Sequence, residues 1–391
     1  MKKKNISFLS LSAATTLTCL SFSNAQAALT LHEDQHTRFT TDGYINAFYV
    51  HSDVDRPGDQ FDRRQSRVKM GFLPNYLGFN MERDTGELTL GARASFWVTI
   101  NDSEVNGTGT AIDVRQFYGT VSGSFGQVLI GKDFGLFARS NILRDELLAG
   151  YGQASDTLGL TDGTGVSFGN IGTGYPYAFP TAQITWRSPD LSGFNIALGI
   201  LDPYDTNEVG GTGKAYQETP RFESEISYQA ELGDASVHAW VNGAYQSSKN
   251  TDASVDTVNT RGVGYGVQLK FEALSLTASG FDASGMHPLF SNNLGEAALQ
   301  ETDSDGYLLQ AAYQFGKARL ALSHGRSRDD ADLVLGSGER VRYETNAVML
   351  GYAVNDYLNL VANATRFELD QATAGNIEKT DTLAIGATLS W

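Results

Sequence analysis

The chain has 391 residues, a formal net charge of -16 and a single cysteine. Such acidity excludes nucleic-acid binding, which draws its affinity from Lys and Arg set against phosphates. One thiol excludes both a disulfide framework and a cysteine-based metal site. With 42 Gly, 17 Tyr and 21 Phe against 8 Pro, the composition favours turns and strands and predicts an all-β chain.

In chain order, Met1-Lys2-Lys3-Lys4 is followed by an apolar, hydroxyl-rich stretch from Ile6 to Phe22 and then by Ala25-Gln26-Ala27. That order predicts a secretory signal over residues 1–27, cleaved to leave Ala28 at the new terminus. Ser10, Ser12, Thr15, Thr16 and Thr18 dilute the apolar stretch too far for a permanent membrane helix. Cys19 follows Thr16-Leu17-Thr18, without the small residue a lipoprotein signal places before its cysteine. Cleavage removes three lysines and no acid, which takes the net charge from -16 to -19. Residues 28–41 are expected as an exposed N-terminal segment, and the folded body as 42–391.

From there on, apolar residues recur with a period of two. Leu88, Leu90, Ala92, Ala94, Phe96, Val98 and Ile100 alternate with Thr89, Gly91, Arg93, Ser95 and Thr99; Val263 to Phe271 and Leu383 to Trp391 do the same. Each such run predicts a strand of about ten residues between an apolar and a polar medium, long enough to cross a bilayer at a tilt. A mean hydropathy below zero is compatible with this, because only every second strand residue need be apolar. The connections alternate between short turns, such as Asp84-Thr85-Gly86 and Gly316-Lys317, and long polar runs, such as 202–218 and 283–304. Counted segment by segment the strands number seventeen, which a closed up-and-down barrel of this kind disfavours. Around Pro74 the apolar parity changes from Val68, Met70 and Phe72 to Leu77, Phe79 and Met81. One long strand from about Ser66 to Arg83 with a β-bulge at Pro74 restores sixteen and predicts that Phe72 and Leu77 both face outward. The longest connection, about 134–180, then falls between the fifth and sixth strands. A loop of that length in a barrel too wide to fill itself is expected to fold inward and set the bore.

Asp113-Val114-Arg115-Gln116-Phe117-Tyr118, Ser124 to Lys132, Ile184-Thr185-Trp186-Arg187-Ser188-Pro189 with Gly193-Phe194, and the terminal Leu389-Ser390-Trp391 together resemble the general trimeric porins of Gram-negative bacteria over essentially the whole exported chain. The resemblance implies an all-β, sixteen-stranded antiparallel transmembrane barrel in the outer membrane, a homotrimer, and a constricting third loop. It implies passive diffusion of small polar solutes with no cofactor, contacts with lipid and lipopolysaccharide, and Trp391 as the signal for the barrel-assembly machinery. It also implies basic wall residues facing loop acids. On this sequence Arg67, Lys69, Arg93 and Arg115, joined by Lys132, are the expected wall, and Asp145, Glu146, Asp156 and Asp162 the expected loop acids, with a transverse field between them. The chain departs from the pattern in its loop, which reads Ser167 to Pro176 where the family commonly has Pro-Glu-Phe-Gly-Gly, and in ending on Trp rather than Phe.

Other motifs have plainer readings. His32-Glu33-Asp34-Gln35-His36 fits the zinc-protease spacing but lacks an amphipathic helix and a third ligand. Gly210 to Ala215 lacks the first glycine and the hydroxyl of a phosphate-binding loop. Asp303-Ser304-Asp305-Gly306 lacks the distal glutamate of a calcium loop and is expected to be a solvated loop. His51, His238, His287 and His324 are scattered, with no nucleophile motif for a hydrolase. The competing reading from another class is a structural or receptor barrel whose loops bind lipopolysaccharide, cations or phage.

Overall fold

The computed structural model describes residues 28–58, 62–102, 112–205, 207, 213–289, 300–331 and 338–391. The expected signal segment and half of the glycine-rich run at 210–215 (residues 210–212) lie outside them. Eighteen strands and one short helix are present among the described residues. The strands are β1 (Leu29–Glu33), β2 (Thr37–Asp55), β3 (Arg63–Lys69), β4 (Asn75–Asp84), β5 (Thr89–Val98), β6 (Asp113–Gly123) and β7 (Gly126–Phe134). After the helix α1 (Arg139–Leu143) come β8 (Pro180–Arg187), β9 (Phe194–Leu201), β10 (Arg221–Leu232), β11 (Ala235–Ser248), β12 (Val258–Phe271) and β13 (Leu274–Ser284). The last five are β14 (Asp303–Phe315), β15 (Ala318–Asp329), β16 (Val341–Ala353), β17 (Leu358–Gln371) and β18 (Gly375–Ser390).

Neighbours pair antiparallel in chain order, and β18 returns to pair with β2, from Ser390 against Tyr44 to Lys379 against Asp55. Eighteen strands occupy sixteen places. β3 pairs with the far half of β2 (Phe48–Val54) and β4 with its near half (Thr37–Tyr44), so the two form one interrupted strand. β1 pairs with β2 at Arg38–Thr41, on the side where β18 pairs further along. The result is a closed sixteen-place antiparallel barrel.

The alternation in the sequence is the alternation between barrel faces. On β18, Leu383 and Ile385 are 47% and 54% exposed, whereas Thr380, Thr382 and Ala384 between and beside them are buried. The outer face carries a belt of such side chains: Ile226, Val241, Val263, Leu309, Leu322 and Leu350 are each about half exposed on consecutive or near-consecutive strands. Apolar side chains turned outward around a complete barrel fit a surrounding medium that is itself apolar.

The interruption at Pro74 is where the chain was expected to bulge, but one side chain differs. Val68 (66%) and Leu77 (40%) are both exposed on the outer face, so the parity does change between them. Phe72, expected outward, is 7% exposed and packs inside on Leu148, Ile171, Tyr175 and Leu308. The segment Met70–Pro74 belongs to neither strand and turns inward, with the Phe72 N–H donating to the Gly150 carbonyl (3.0 Å). A long loop inside the barrel supplies an apolar seat that alternation alone does not reveal.

In the N-terminal segment expected to be exposed, Leu29–Glu33 are exposed and also pair in the sheet as β1. His32 to His36 form a hairpin turn between β1 and β2, with Asp34 Oδ1 accepting from the backbone N–H of His36 (2.8 Å) and Thr37 (2.7 Å). Those two bonds hold its carboxyl down to about 2. The two histidines therefore flank a strand turn, not one face of a helix. Asp303 to Gly306 likewise open β14 in register with β13 and β15, so they are a strand end and not a solvated loop. At the other terminus, Trp391 and Gly43 exchange backbone hydrogen bonds (3.1 and 3.2 Å). A Cβ on residue 43 would lie 2.3 Å from the Trp391 ring, so any larger residue there must displace that ring.

Candidate pore constriction

The connection from β7 to β8 runs along the inside of the barrel, and inward-facing wall side chains hold its backbone. Loop N–H groups cannot be left unpaired where protein surrounds them. Glu223 on β10 accepts from the N–H of Leu136 (2.6 Å) and Phe137 (2.9 Å), and Asn242 on β11 from Ala138 (3.1 Å). Asn363 on β17 accepts from Tyr151 (3.1 Å) and Gly152 (2.7 Å), and Glu378 on β18 from Asp156 and Thr157 (2.7 Å each). The loop thus follows the wall from β10 round to β18 and returns. Its two limbs close on each other at Gly152 and Gly169, both at positive φ, where a Cβ on residue 152 would sit 2.3 Å from the Gly169 Cα.

The four predicted loop acids fasten the loop to the wall instead of facing a basic wall across the channel. Asp145 accepts from Gln310 (2.6 Å), Asn170 (2.9 Å), the Tyr175 hydroxyl and the Leu147 N–H (2.8 Å). Glu146 forms an ion pair with Arg319 on β15 and accepts from Thr277 (2.9 Å), Gln268 (2.8 Å) and Ser275. Asp156 is paired with Arg63 and Arg56, and Asp162 with Arg63 at 2.9 Å. Acids neutralised by adjacent guanidinium groups contribute little field at a distance.

The predicted basic residues divide. Lys69 is 1% exposed, and its ammonium donates to the carbonyls of Leu160 and Asp162 at 2.7 Å each, so it too secures the loop. Arg67 lies half-buried beside Gln65, whose side-chain oxygen accepts from its guanidinium. Lys132 faces outward: its register partners are Phe117 and Ala182, and Phe117 is 62% exposed on the outer face. It is not part of the lumen wall.

Arg93 and Arg115 do face inward. Plain alternation would put Arg115 on the outward face with Phe117, but Val114 and Arg115 together oppose the single residue Phe96, and this bulge turns Arg115 in. It reaches the Tyr177 hydroxyl (3.0 Å) and Asp113 (2.7 Å) and lies over the Trp97 ring. Arg93 donates to Asp42 (2.8 and 3.0 Å), Asn80 (2.6 Å) and Gln116 (2.9 Å); Gln116 in turn donates to Asp133, which pairs with Arg139 at 3.2 Å.

That network lines a chamber of about 1880 Å³ on the short-turn side of the barrel, which Arg139, Arg144 and Arg187 also line. Arg187 was not singled out from the sequence. Its position at the end of β8, next to the outward Trp186, carried the signal, because Ile184 and Trp186 fix the outer parity of that strand. Arg139 and Arg144 project from α1 and its end, where Ala138 adopts a left-handed φ of 60° to start the helix. Six cationic side chains, Arg93, Arg139, Arg144 and Arg187 among them, share this chamber with eight carboxylates, which include Asp42, Asp133 and Glu225.

A closed barrel with an apolar outer belt, a polar lumen and an inward loop beside a charged chamber defines a membrane channel. The model of the Gram-negative porin family matches residues 11–386, and the chain belongs to that family: it is an outer-membrane porin channel. Solved structures with the same fold include an anion-selective porin from Comamonas acidovorans (15% identity over 91% of this chain and 100% of that one, TM-score 0.64). The outer-membrane channel DcaP of Acinetobacter baumannii is 14% identical over 93% of this chain and 100% of that one, with TM-score 0.66. OmpT of Vibrio cholerae in a trimer form is 13% identical over 91% and 100%, with TM-score 0.53. No curated protein matches the sequence.

Proposed function

We propose that the chain forms a homotrimer of passive pores for small hydrophilic solutes, with a weak preference for small anions such as carboxylates. The observation that carries the preference is the pairing pattern: the loop acids Glu146, Asp156 and Asp162 are matched by Arg319, Arg56 and Arg63, while on the chamber Arg93 and Arg139 are paired with Asp42 and Asp133 and Arg144 and Arg187 have no carboxylate within ion-pair distance among the described residues. Charge at a confined passage governs which ion enters more strongly than distant surface charge, which salt screens over about 8 Å. The overall charge of -16 is therefore a poor guide to selectivity. The trimeric V. cholerae structure and the anion-selective C. acidovorans porin support the assembly and the preference by likeness of fold.

The reading includes cleavage after Ala27, assembly through the aromatic terminus at Trp391, and outer contacts with lipid and lipopolysaccharide. No reaction is assigned to it. Planar-bilayer recording tests the pore: stepwise conductance and a reversal potential of anionic sign in a KCl gradient are expected. A barrel serving only as a structural or receptor protein would give no steps.

A further inference from the structure

Six rings follow one another along the inner wall. Tyr76 on β4 stacks on Trp97 of β5 at 4.6 Å between centroids, and Trp97 meets Phe134 at the end of β7 edge-to-face at 6.1 Å. Phe134 meets Tyr177 at 6.3 Å, Tyr177 meets Phe179 at 5.0 Å, and Phe179 meets Tyr204 beyond β9 at 5.9 Å, each edge-to-face. The run begins in the short-turn chamber, which Tyr76 lines, and passes the loop's return limb at Tyr177 and Phe179. It ends at the start of a long-loop connection.

Three guanidinium groups accompany it. Arg93 lies 5.9 Å from the Tyr76 ring centre, Arg115 5.2 Å from that of Trp97, and Arg221 4.4 Å from that of Tyr204. Arg221 is fully buried, and although its Nε donates to Glu223 (2.7 Å), its Nη1 and Nη2 have no hydrogen-bond partner. Trp97 is packed beneath its neighbours, and the other five rings are partly exposed; a lumen that needed only to conduct water and ions gains nothing from five such rings, since each is a surface that water wets poorly. Polar side chains would serve it better.

We propose that this arginine-flanked aromatic run makes the pore selective for aryl carboxylates over alkyl carboxylates of equal charge and size. The inference rests on the pore reading and names the solute class for it. A planar ring can offer its electropositive edge to a ring face, and its face to a ring edge, wherever consecutive rings alternate in this way. The attached carboxylate is drawn to Arg115, whose side chain is 23% exposed beside the rings, while Arg221 is fully buried and acts on the run only through Tyr204. A saturated ring of the same size keeps the charge interaction and loses the edge-to-face one. Beyond Trp97 the rings meet edge-to-face and form no level platform, which fits an aryl ring better than a sugar.

Bi-ionic reversal potentials of the unmodified protein in planar bilayers, with chloride on one side and benzoate or cyclohexanecarboxylate on the other at pH 8, test the proposal. Benzoate should be about threefold or more the more permeant of the two, the factor expected for one aromatic pairing. Tyr177→Leu and Phe134→Leu should each bring the ratio towards one, with chloride steps reporting that the variant pore has formed. Equal permeability of the two acids in the unmodified pore would overturn the aryl assignment and leave the channel standing. So would an undiminished ratio in both variants, or equal permeability together with block by a disaccharide. Absence of chloride steps in the unmodified protein would overturn the pore reading itself, and the aryl assignment with it.

Discussion

Replacing Arg319 by Met should loosen the constriction loop without opening the barrel. Arg319 and Glu146 are 7% and 3% exposed, and the substitution leaves the Glu146 carboxylate buried without its cationic partner. Breaking such a pair from one side costs about 3–5 kcal/mol. Glu146 keeps Ser275, Thr277 and Gln268 as donors, which favours the lower end, about 3 kcal/mol. Because each 1.4 kcal/mol is tenfold, local detachment of the segment around Glu146 should become about a hundred times more frequent. The strand ladders are untouched, so the heat-modifiable band on gels should persist. Hydrogen exchange of the Glu146 amide, which donates to Gln310 at 2.8 Å, should accelerate, and open-channel noise should rise. Adding Glu146→Gln should restore part of the loss, because a neutral amide needs no counter-charge. Unchanged exchange and unchanged noise in Arg319→Met would refute the view that this pair secures the loop.

Three further outcomes follow from the geometry. A lipid-soluble quencher should reach a fluorescent label at Leu77 and not one at Phe72, which faces the loop; equal quenching would put Phe72 on the outer face after all. Gly43→Val should displace the Trp391 ring, given the 2.3 Å approach, and reduce the yield of heat-modifiable barrel several-fold in a refolding assay. The Asp34 carboxyl is depressed in the folded state, so its contribution to the β1–β2 turn is present above the ordinary value of 3.8 and lost as pH falls through about 2. The hairpin amides of His36 and Thr37 should therefore keep their protection from exchange at pH 4 and lose part of it near pH 2, and Asp34→Ala should lose it at both.

The barrel was legible because it is encoded locally. Outer and inner residues alternate one by one, as in Leu383 and Ile385 against Thr382 and Ala384, and each turn declares itself between two such runs. The Pro74 interruption could be located from a change of parity. The constriction was legible only in outline. Glu146 meets Arg319 across 173 positions and Asp156 meets Arg63 across 93, and no local pattern announces that these acids are neutralised. Arg115 faces inward only because a bulge opposite Phe96 reverses its parity. Lys132 and Arg187 are different: the outward parity of Ile130 and Ile184 was already written in the sequence, and it puts the first outside and the second inside.

Position relative to the lumen is the claim on which the functional account depends, and thiol modification tests it directly. The sequence has a single cysteine, Cys19, within the segment expected to be cleaved, so an introduced thiol would be alone in the mature barrel. With Arg187→Cys, a bulky charged methanethiosulfonate reagent should attach in the chamber and cut the single-channel current by about half or more, as an obstruction at a narrow passage does. With Lys132→Cys the same reagent should leave the current unchanged, because that side chain faces the membrane. Loss of current at Lys132→Cys with none at Arg187→Cys would contradict the assignment of inner and outer faces, and the chamber of arginines would then not be the pore.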